Sequence, residues 1–448
     1  MQTFFGSVWW LIVTLGLLIT FHEYGHYVVA RYFGVKVTRF SIGFGKPLWS
    51  RYNREGTEFT ISAIPLGGYV KMLDEREGDV APQDLAGAHN RKPVLQRMAI
   101  AAAGPAFNLI FAIAALWLMF MVGRPDYQPV IAEPAGIAAE SGFAAGDHVL
   151  ALDGEPVEAW SEAIMTIAHS ALARRDVQVE VRDAAGNRRD RTLRLSRLPE
   201  GIEGTQALDA VGLQLRAPEI AATVGGLAGD GAAAAAGLKV GDRIVSINEQ
   251  PVRQYADISP LIQQQAAASP TLAVRVERDG ASLSVPVTVR PHEAADGSRR
   301  WVMGIEAPDA HDAVLRHGPL AAIPAALADA WKSTKNTVSV ITRMVTGEVS
   351  AKNLSGVITI AQVANSSAQM GIAWFLSFLA VISLNLAILN LLPVPVLDGG
   401  HLLYYLIELI KGSPVSERTQ IAGQYVGLIV LVAMMGLAFY NDILRLAS

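Results

Sequence analysis

Residues 8–27 read VWWLIVTLGLLITFHEYGHY, an apolar run that ends in two histidines and a glutamate. The run is long enough for one membrane-spanning helix, which needs roughly 20 apolar residues. On a helix, His22 and His26 lie one turn apart on the same face, and Glu23 lies beside them. Ionisable side chains are costly inside a bilayer, so such a cluster indicates a functional site. The stretch predicts a metal centre within a membrane helix; the alternative is a structural histidine pair with Glu23 as its counter-ion.

The composition is that of a membrane protein with several spans. Of the 448 residues, 51% are hydrophobic, and the net charge of −4 predicts no basic surface for nucleic acid. The sequence has no cysteine, so a metal here must be held by His, Asp or Glu side chains. Four apolar stretches predict a polytopic α-helical protein with four transmembrane helices, at about residues 4–29, 99–122, 372–392 and 422–440.

The positive charges predict how the chain crosses the membrane. The segment from Arg31 to Arg97 carries eleven Lys and Arg residues, and positively charged loops stay on the cytoplasmic side. We therefore expect both termini, and the large region after the second span, to lie on the outer side. The His-Glu motif then lies toward the cytoplasm.

The large outer region contains a repeated pattern. Residues 142–156 and 237–251 align without gaps and share Gly-x-x-x-Gly-Asp, followed by apolar strand residues and Asp or Asn. A helical stretch and alternating strands follow each copy. The pattern resembles PDZ domains, which can capture an extended peptide on a strand edge. We expect two tandem PDZ-like α+β domains, at residues 124–219 and 220–310.

Two further segments lie beside the predicted spans, which are assigned to residues 1–30, 99–123, 372–410 and 411–448. Residues 31–98 contain short apolar stretches separated by Gly, Pro and Asn, and predict a membrane-associated β-hairpin region. Residues 311–371 are expected to form an amphipathic helix on the outer membrane surface, from Ala321 to Val345, and a linker.

A third metal ligand is predicted near the third span. Residues 390–401 read NLLPVPVLDGGH, where two prolines and two glycines interrupt an apolar run around Asp398. Irregular backbone at membrane depth is tolerated only where it is buried in protein or lines a wet cavity. A catalytic zinc usually has three protein ligands and one open position, so Asp398 is the third candidate. Two alternatives remain open: Asp398 as a helix cap, and His401 as the ligand.

Two asparagines are candidates for roles beside the metal. Asn390 can donate its amide to a developing oxyanion or hold the substrate backbone, or it can form an interhelical hydrogen bond. In the second span, Gly104-Pro-Ala-Phe-Asn108 places small residues and an amide at helical spacing. That pattern is typical of helix packing, and Asn108 is kept as a further candidate site residue.

Three of these stretches together resemble the site-2 protease family of intramembrane zinc metalloproteases. They are His-Glu-Tyr-Gly-His, Gly-Pro-Ala-Phe-Asn and Asn-Leu-Leu-Pro-Val-Pro-Val-Leu-Asp-Gly-Gly, and the two PDZ-like repeats narrow the resemblance to a bacterial group of that family. The likeness covers essentially the whole chain. One departure is Val357, where the group is expected to have Pro after Gly356; it lies before the third span and affects no predicted catalytic residue.

The resemblance implies a role for each matching residue. His22, His26 and Asp398 would hold one Zn²⁺, and Glu23 would act as acid/base. Asn390 would bind substrate near the scissile bond, and the substrate-binding set would also include Pro393, Pro395, Gly43, Phe44 and Gly45. Gly43 to Gly45 lie where the family has a membrane-reentrant β-element that adds a strand to the unwound substrate.

The resemblance also implies the setting and the partners. The protein would lie in a bacterial inner membrane with periplasmic PDZ-like domains. It would cut a single-span membrane protein, an anti-sigma factor already trimmed on its outer side, with remnant signal peptides as a second class. The PDZ-like pair would either bind an exposed C-terminal peptide or exclude substrates with bulky outer domains. The rival function is a periplasmic scaffold or zinc sensor whose metal site is not catalytic.

Overall fold

The computed structural model describes residues 2–76, 78–198, 209–216, 220–229, 231–293, 299–308, 311–347 and 355–447. Four of its helices are long and apolar enough to span a bilayer, which confirms the four predicted spans. In chain order the helices are α1 (Gln2–Tyr32), α2 (Val94–Val122), α3 (Gly136–Glu140), α4 (Trp160–Leu172), α5 (Ala232–Ala235), α6 (Ile258–Ala266), α7 (Ala322–Val345), α8 (Val357–Gln369), α9 (Ile372–Leu391), α10 (Asp398–Lys411) and α11 (Glu417–Ala447).

The second span, α2, lies at the centre of the membrane part. It packs against α1, α7, α9 and α10. Its contact with α7 joins alanines on both helices, including Ala112 and Ala115 of α2 and Ala322 and Ala326 of α7. Small side chains allow the close helix approach on which packing within a membrane depends. The last span, α11, leaves most of its side chains exposed.

The segment after the first span is a β-hairpin that folds back on itself. Its strands are β1 (Val37–Tyr52) and β2 (Glu58–Met72). The first part of β1 pairs with both ends of β2, since Phe40 lies opposite Val70 and also opposite Phe59. Gly43 is at the bend of β1 with φ +89°, and a Cβ there would lie 2.8 Å from the Ile64 carbonyl oxygen. Only glycine avoids both the strained φ and this contact.

The region between the second and third spans contains two four-stranded sheets with the same arrangement. The first contains β3 (His148–Leu152), β4 (Glu155–Pro156), β5 (Val177–Arg182) and β6 (Arg188–Leu193), in the order β4-β3-β5-β6. The second contains β7 (Arg243–Ile247), β8 (Gln250–Pro251), β9 (Thr271–Arg278) and β10 (Ala281–Thr288), in the order β8-β7-β9-β10. Each sheet has its own apolar core. The matching order agrees with the predicted repeat, while the PDZ-like character of the two domains stays a prediction.

The aspartate of the repeated Gly-Asp sequence forms an ion pair with an arginine in both domains. Asp147 Oδ2 lies 2.9 Å from Arg191 Nε, and Asp242 Oδ1 lies 2.6 Å from Arg278 Nε. The hydrogen bond from Arg278 holds the pKa of Asp242 below its ordinary value. Each ion pair joins the loop before a central strand to another strand of the same sheet.

The region between the second repeat and the third span contains two helices rather than one helix and a linker. The helix α7 begins one residue later than predicted and ends at the predicted Val345. The helix α8 was not predicted, and it packs against α1, α9 and α11. Its hydrophobic residues are mixed with Thr, Gln, Asn and Ser, a composition that gives no strong hydropathy signal.

The predicted third span, residues 372–410, is broken into two helices. The helix α9 ends at Leu391, and α10 begins at Asp398. Proline has no backbone N–H and cannot continue a helix without strain, so Pro393 and Pro395 account for the break. The break puts Asp398 at the first position of a new helix.

Candidate metal centre and active site

Helix α1 brings two imidazoles together at membrane depth. The rings of His22 and His26 have centroids 4.9 Å apart, and their Nε2 atoms are 3.3 Å apart. His26 is buried and His22 is half-buried. The two histidines therefore lie side by side on α1, as their one-turn spacing predicts, because residues i and i+4 share a helix face.

Asp398 completes a three-sided group with these histidines. Its Oδ2 lies 3.2 Å from His22 Nε2, and its Oδ1 lies 3.4 Å from His26 Nε2. A tetrahedral zinc with bonds of about 2.0–2.1 Å places its ligand atoms about 3.3–3.4 Å apart. The donor set and its spacing fit zinc. Among the described residues, no other group of three or more His, Cys, Asp or Glu side chains is arranged to hold a metal ion.

Glu23 lies between the metal group and the β-hairpin. Its side chain is half-buried, and a Cβ added to Gly68 of β2 would lie 3.2 Å from Glu23 Cγ. The backbone of Val70, also on β2, lies near the Glu23 carboxylate. The hairpin therefore forms one wall of the space around this carboxylate.

Helix α2 contacts the metal group from the other side. The His26 Nδ1 atom lies 2.8 Å from the carbonyl oxygen of Ile100, and the His22 Nδ1 atom lies 3.2 Å from Asn108 Nδ2. Both rings thus direct Nε2 toward Asp398, and each Nδ1 lies within hydrogen-bond distance of a group of α2. Hydrogen bonds to the second nitrogen commonly fix the orientation of metal-binding histidines.

Comparison with known proteins agrees with this geometry. The model of peptidase family M50 matches residues 10–434. The chain belongs to peptidase family M50. A Xylella fastidiosa (strain 9a5c) protein provisionally named a zinc metalloprotease is 44% identical over 452 residues, covering 99% of this chain and 100% of the relative. The regulator of sigma-E protease RseP of Escherichia coli (strain K12) is 42% identical over 453 residues, covering all of both chains. The regulator of sigma E protease of Salmonella typhimurium (strain LT2) is 43% identical over 443 residues, with 97% and 98% covered.

Family membership confirms the resemblance drawn from the three motifs. This M50 peptidase is a zinc metalloprotease of the site-2 type. Its four apolar helices and its relatives identify it as an inner-membrane protein. The individual roles of His22, Glu23, His26 and Asp398 stay predictions, supported by the distances above.

The other residues predicted near the third span lie in and beside the break between α9 and α10. Asn390 is half-buried on the last turn of α9. Pro393 is exposed. Pro395 packs against α11, since a Cβ added to Gly427 would lie 3.3 Å from Pro395 Cδ. His401 is outside the metal group and stacks with Tyr405 at a ring distance of 6.4 Å.

The predicted hairpin residues lie at the bend of β1. Phe44 is partly exposed, with 43% of its surface accessible, and stacks on Tyr69 with ring centroids 6.2 Å apart. Gly45 repeats the positive φ of Gly43, at +88°. These residues belong to the same hairpin that contacts Glu23 through Gly68 and Val70.

Sequence reasoning missed an ion pair that secures α10. The guanidinium of Arg97 donates to the Glu408 carboxylate through Nη2 at 2.6 Å and Nη1 at 3.1 Å. It also lies 4.9 Å from the centre of the Tyr405 ring. The partners are 311 residues apart, so no local pattern indicates the pairing. The available signal was Glu408, a charged residue inside the predicted third span of residues 372–410.

Proposed function

We propose that this M50 peptidase hydrolyses a peptide bond within the membrane-spanning segment of another protein. His22, His26 and Asp398 are the zinc ligands in this proposal, and Glu23 is the acid/base. The observation that carries it is the spacing of 3.2–3.4 Å among three donor side chains drawn from two helices at membrane depth.

The chemistry follows from the side chains around the metal. Bound zinc supplies Lewis-acid polarisation of the scissile carbonyl and acidification of the attacking water. Glu23 takes a proton from that water as the new C–O bond forms, and returns it to the amide nitrogen as the C–N bond breaks. The Asn390 amide can donate to the developing oxyanion or hold the substrate backbone.

In this proposal the hairpin binds the substrate segment once it is extended. A peptide bond within a helix is shielded by its own hydrogen bonds, so a spanning substrate must become extended before attack. Strand addition at a sheet edge supplies backbone partners for an extended segment. The bend at Gly43, Phe44 and Gly45 belongs to the hairpin that contacts Glu23, which supports this hairpin as the receiving edge.

The substrate class is inferred from the relatives. Proteins named regulators of sigma-E protease are 42–43% identical to this chain over nearly its full length. We infer that the substrate is a single-span anti-sigma factor trimmed on its outer side, with remnant signal peptides as a second class. With the active site toward the cytoplasm, cleavage would release a cytoplasmic fragment. The two outer domains would act by excluding bulky substrates or by capturing a newly exposed C-terminus.

The deciding experiment compares wild type with Glu23→Gln in proteoliposomes. The substrate is a tagged single-span protein without its outer domain, and bound zinc is measured in parallel. We expect wild type to release the fragment, and Glu23→Gln to bind zinc while cutting at least roughly 10²-fold more slowly. Equal cleavage by both contradicts the role of Glu23. Zinc binding without cleavage by either would favour the scaffold or sensor function.

A further inference from the structure

One stripe of helix α2 contacts the metal group. Ile100, Gly104 and Asn108 are spaced four residues apart, so they share one face of the helix. The carbonyl oxygen of Ile100 accepts a hydrogen bond from His26 Nδ1–H at 2.8 Å. That bond leaves the lone pair of His26 on Nε2, the atom that lies 3.4 Å from Asp398.

His22 needs an equivalent acceptor. Its Nε2 is the atom nearest both His26 and Asp398, so Nε2 is the metal-binding nitrogen. A neutral imidazole that binds a metal through Nε2 carries its proton on Nδ1. The side chain that lies against His22 Nδ1 is that of Asn108.

The Asn108 side chain can be this acceptor. It is completely buried. Its Nδ2 lies 3.2 Å from His22 Nδ1, and its Oδ1 is buried without a hydrogen-bond partner. A half-turn of the amide places oxygen where nitrogen was and occupies the same volume. Oδ1 then accepts from His22 Nδ1–H, and Nδ2 takes the buried position that has no partner.

The backbone around Asn108 is itself held in place. The Ser383 hydroxyl, on α9, donates to the Asn108 carbonyl oxygen at 2.7 Å. This bond joins the centre of α2 to the span that leads to Asp398. Asn108 is therefore placed by two helices and is not free to follow a shift of the His22 ring.

We propose that Asn108 is a positioning residue for zinc. Its side-chain oxygen sets the tautomer and the ring orientation of His22, as the Ile100 carbonyl does for His26. The inference rests on the zinc ligands of the proposed function. It assigns Asn108 neither to substrate binding nor to simple helix packing.

The test measures zinc affinity by chelator competition in the purified full-length chain. The variants are Asn108→Leu, which removes the acceptor at similar volume, and Asn108→Asp, which keeps an acceptor oxygen. Thr14→Val is the matched control, because Thr14 is a buried polar residue of α1 whose hydroxyl has no partner. We expect Asn108→Leu to weaken zinc binding by roughly 10–100-fold. Asn108→Asp and Thr14→Val should bind zinc as wild type does.

A purely structural role predicts a different pattern. In that case the thermal midpoint of the zinc-free protein falls in Asn108→Leu, and Asn108→Asp fails to restore zinc affinity. Either an unchanged affinity in Asn108→Leu or an equal loss in both variants overturns the proposal. If Asn108→Leu is not recovered folded, Asn108→Ala serves in its place. If zinc affinity follows the expected pattern but the protein shows no protease activity, the proposed function fails and this inference stands.

Discussion

At the scale of single residues, the metal group depends on Gly104, a glycine of α2. A Cβ added to Gly104 would lie 2.6 Å from His22 Cε1 and closer still to His26 Nε2. Ordinary contacts between carbon atoms are about 3.5–4.0 Å. Gly104 therefore lets α2 approach α1 closely enough for Ile100 and Asn108 to reach the two imidazoles.

Gly104→Ala is expected to displace both imidazoles and abolish zinc binding. The added methyl group has no room unless the rings move or the helices separate, and either change opens the spacing of 3.2–3.4 Å in the metal group. Zinc per purified chain is the measurement. Gly16→Ala is the control, because nothing lies within 4 Å of a Cβ at that position of α1. Full zinc content in Gly104→Ala would contradict the close approach.

At the scale of elements, α10 carries the third ligand at one end and an ion pair farther along. Asp398 is the first residue of α10, and Glu408 lies almost three turns later. The Arg97–Glu408 pair holds this helix against α2, the helix that also supports the two imidazoles. Both side chains are largely buried, with 11% and 17% of their surfaces exposed. The placement of Asp398 thus depends on a contact outside the metal site.

Removing one partner of this ion pair should lower the stability of the protein more than removing both. Glu408→Gln or Arg97→Gln leaves a buried charge without its counter-ion, which typically costs roughly 3–5 kcal/mol, whereas apolar replacement of both partners is often neutral. We expect each single variant to lower the thermal midpoint and the zinc affinity, and the double variant Arg97→Met/Glu408→Met to recover part of both. The exposed pair Arg188–Glu180, 3.0 Å apart, is the control, and Glu180→Gln should leave the midpoint essentially unchanged. A double variant with a lower thermal midpoint and a lower zinc affinity than both single variants would argue against this account.

At the scale of the whole molecule, a buried arginine joins the region between the second and third spans to the membrane part. Arg124 follows α2 and donates to Ser161 Oγ of α4 at 2.7 Å and to Ser377 Oγ of α9 at 3.2 Å. Its guanidinium lies 4.7 Å from the centre of the Trp374 ring. Asp126 accepts a hydrogen bond from Ser161 Oγ at 2.5 Å. The first of the two repeated domains is thereby attached to the second and third spans.

Arg124→Gln should loosen this attachment without changing the metal group. The variant loses hydrogen bonds from a buried charged group, a loss of about 1.5–3 kcal/mol. We expect faster amide hydrogen exchange in α4, by roughly tenfold or more, with wild-type zinc content. Arg188→Gln, at an exposed position of the same domain, should leave exchange in α4 unchanged. Unaltered exchange in Arg124→Gln would mean that other contacts hold the domain.

Much of the molecule could be predicted because its signals are local. Helical spacing places His22 and His26 on one face, apolar run length gives the four spans, and the Gly-Asp pattern gives the repeat. Pro393 and Pro395 break the third span whatever surrounds them. The helix α8 was missed because its hydropathy signal is weak, whereas a β-hairpin region was predicted from short apolar stretches separated by Gly, Pro and Asn.

The sequence by itself determined which residues could bind a metal and which segments could cross a membrane, because both follow from residue chemistry and periodicity along the chain. Only the tertiary structure decided that Asp398 meets His22 and His26 within 3.4 Å, while His401 does not join them. The contact of Asn108 with His22, and the pairing of Arg97 with Glu408, likewise exist only once the helices pack. These contacts join residues tens to hundreds of positions apart, and no local pattern specifies the distance between two helices.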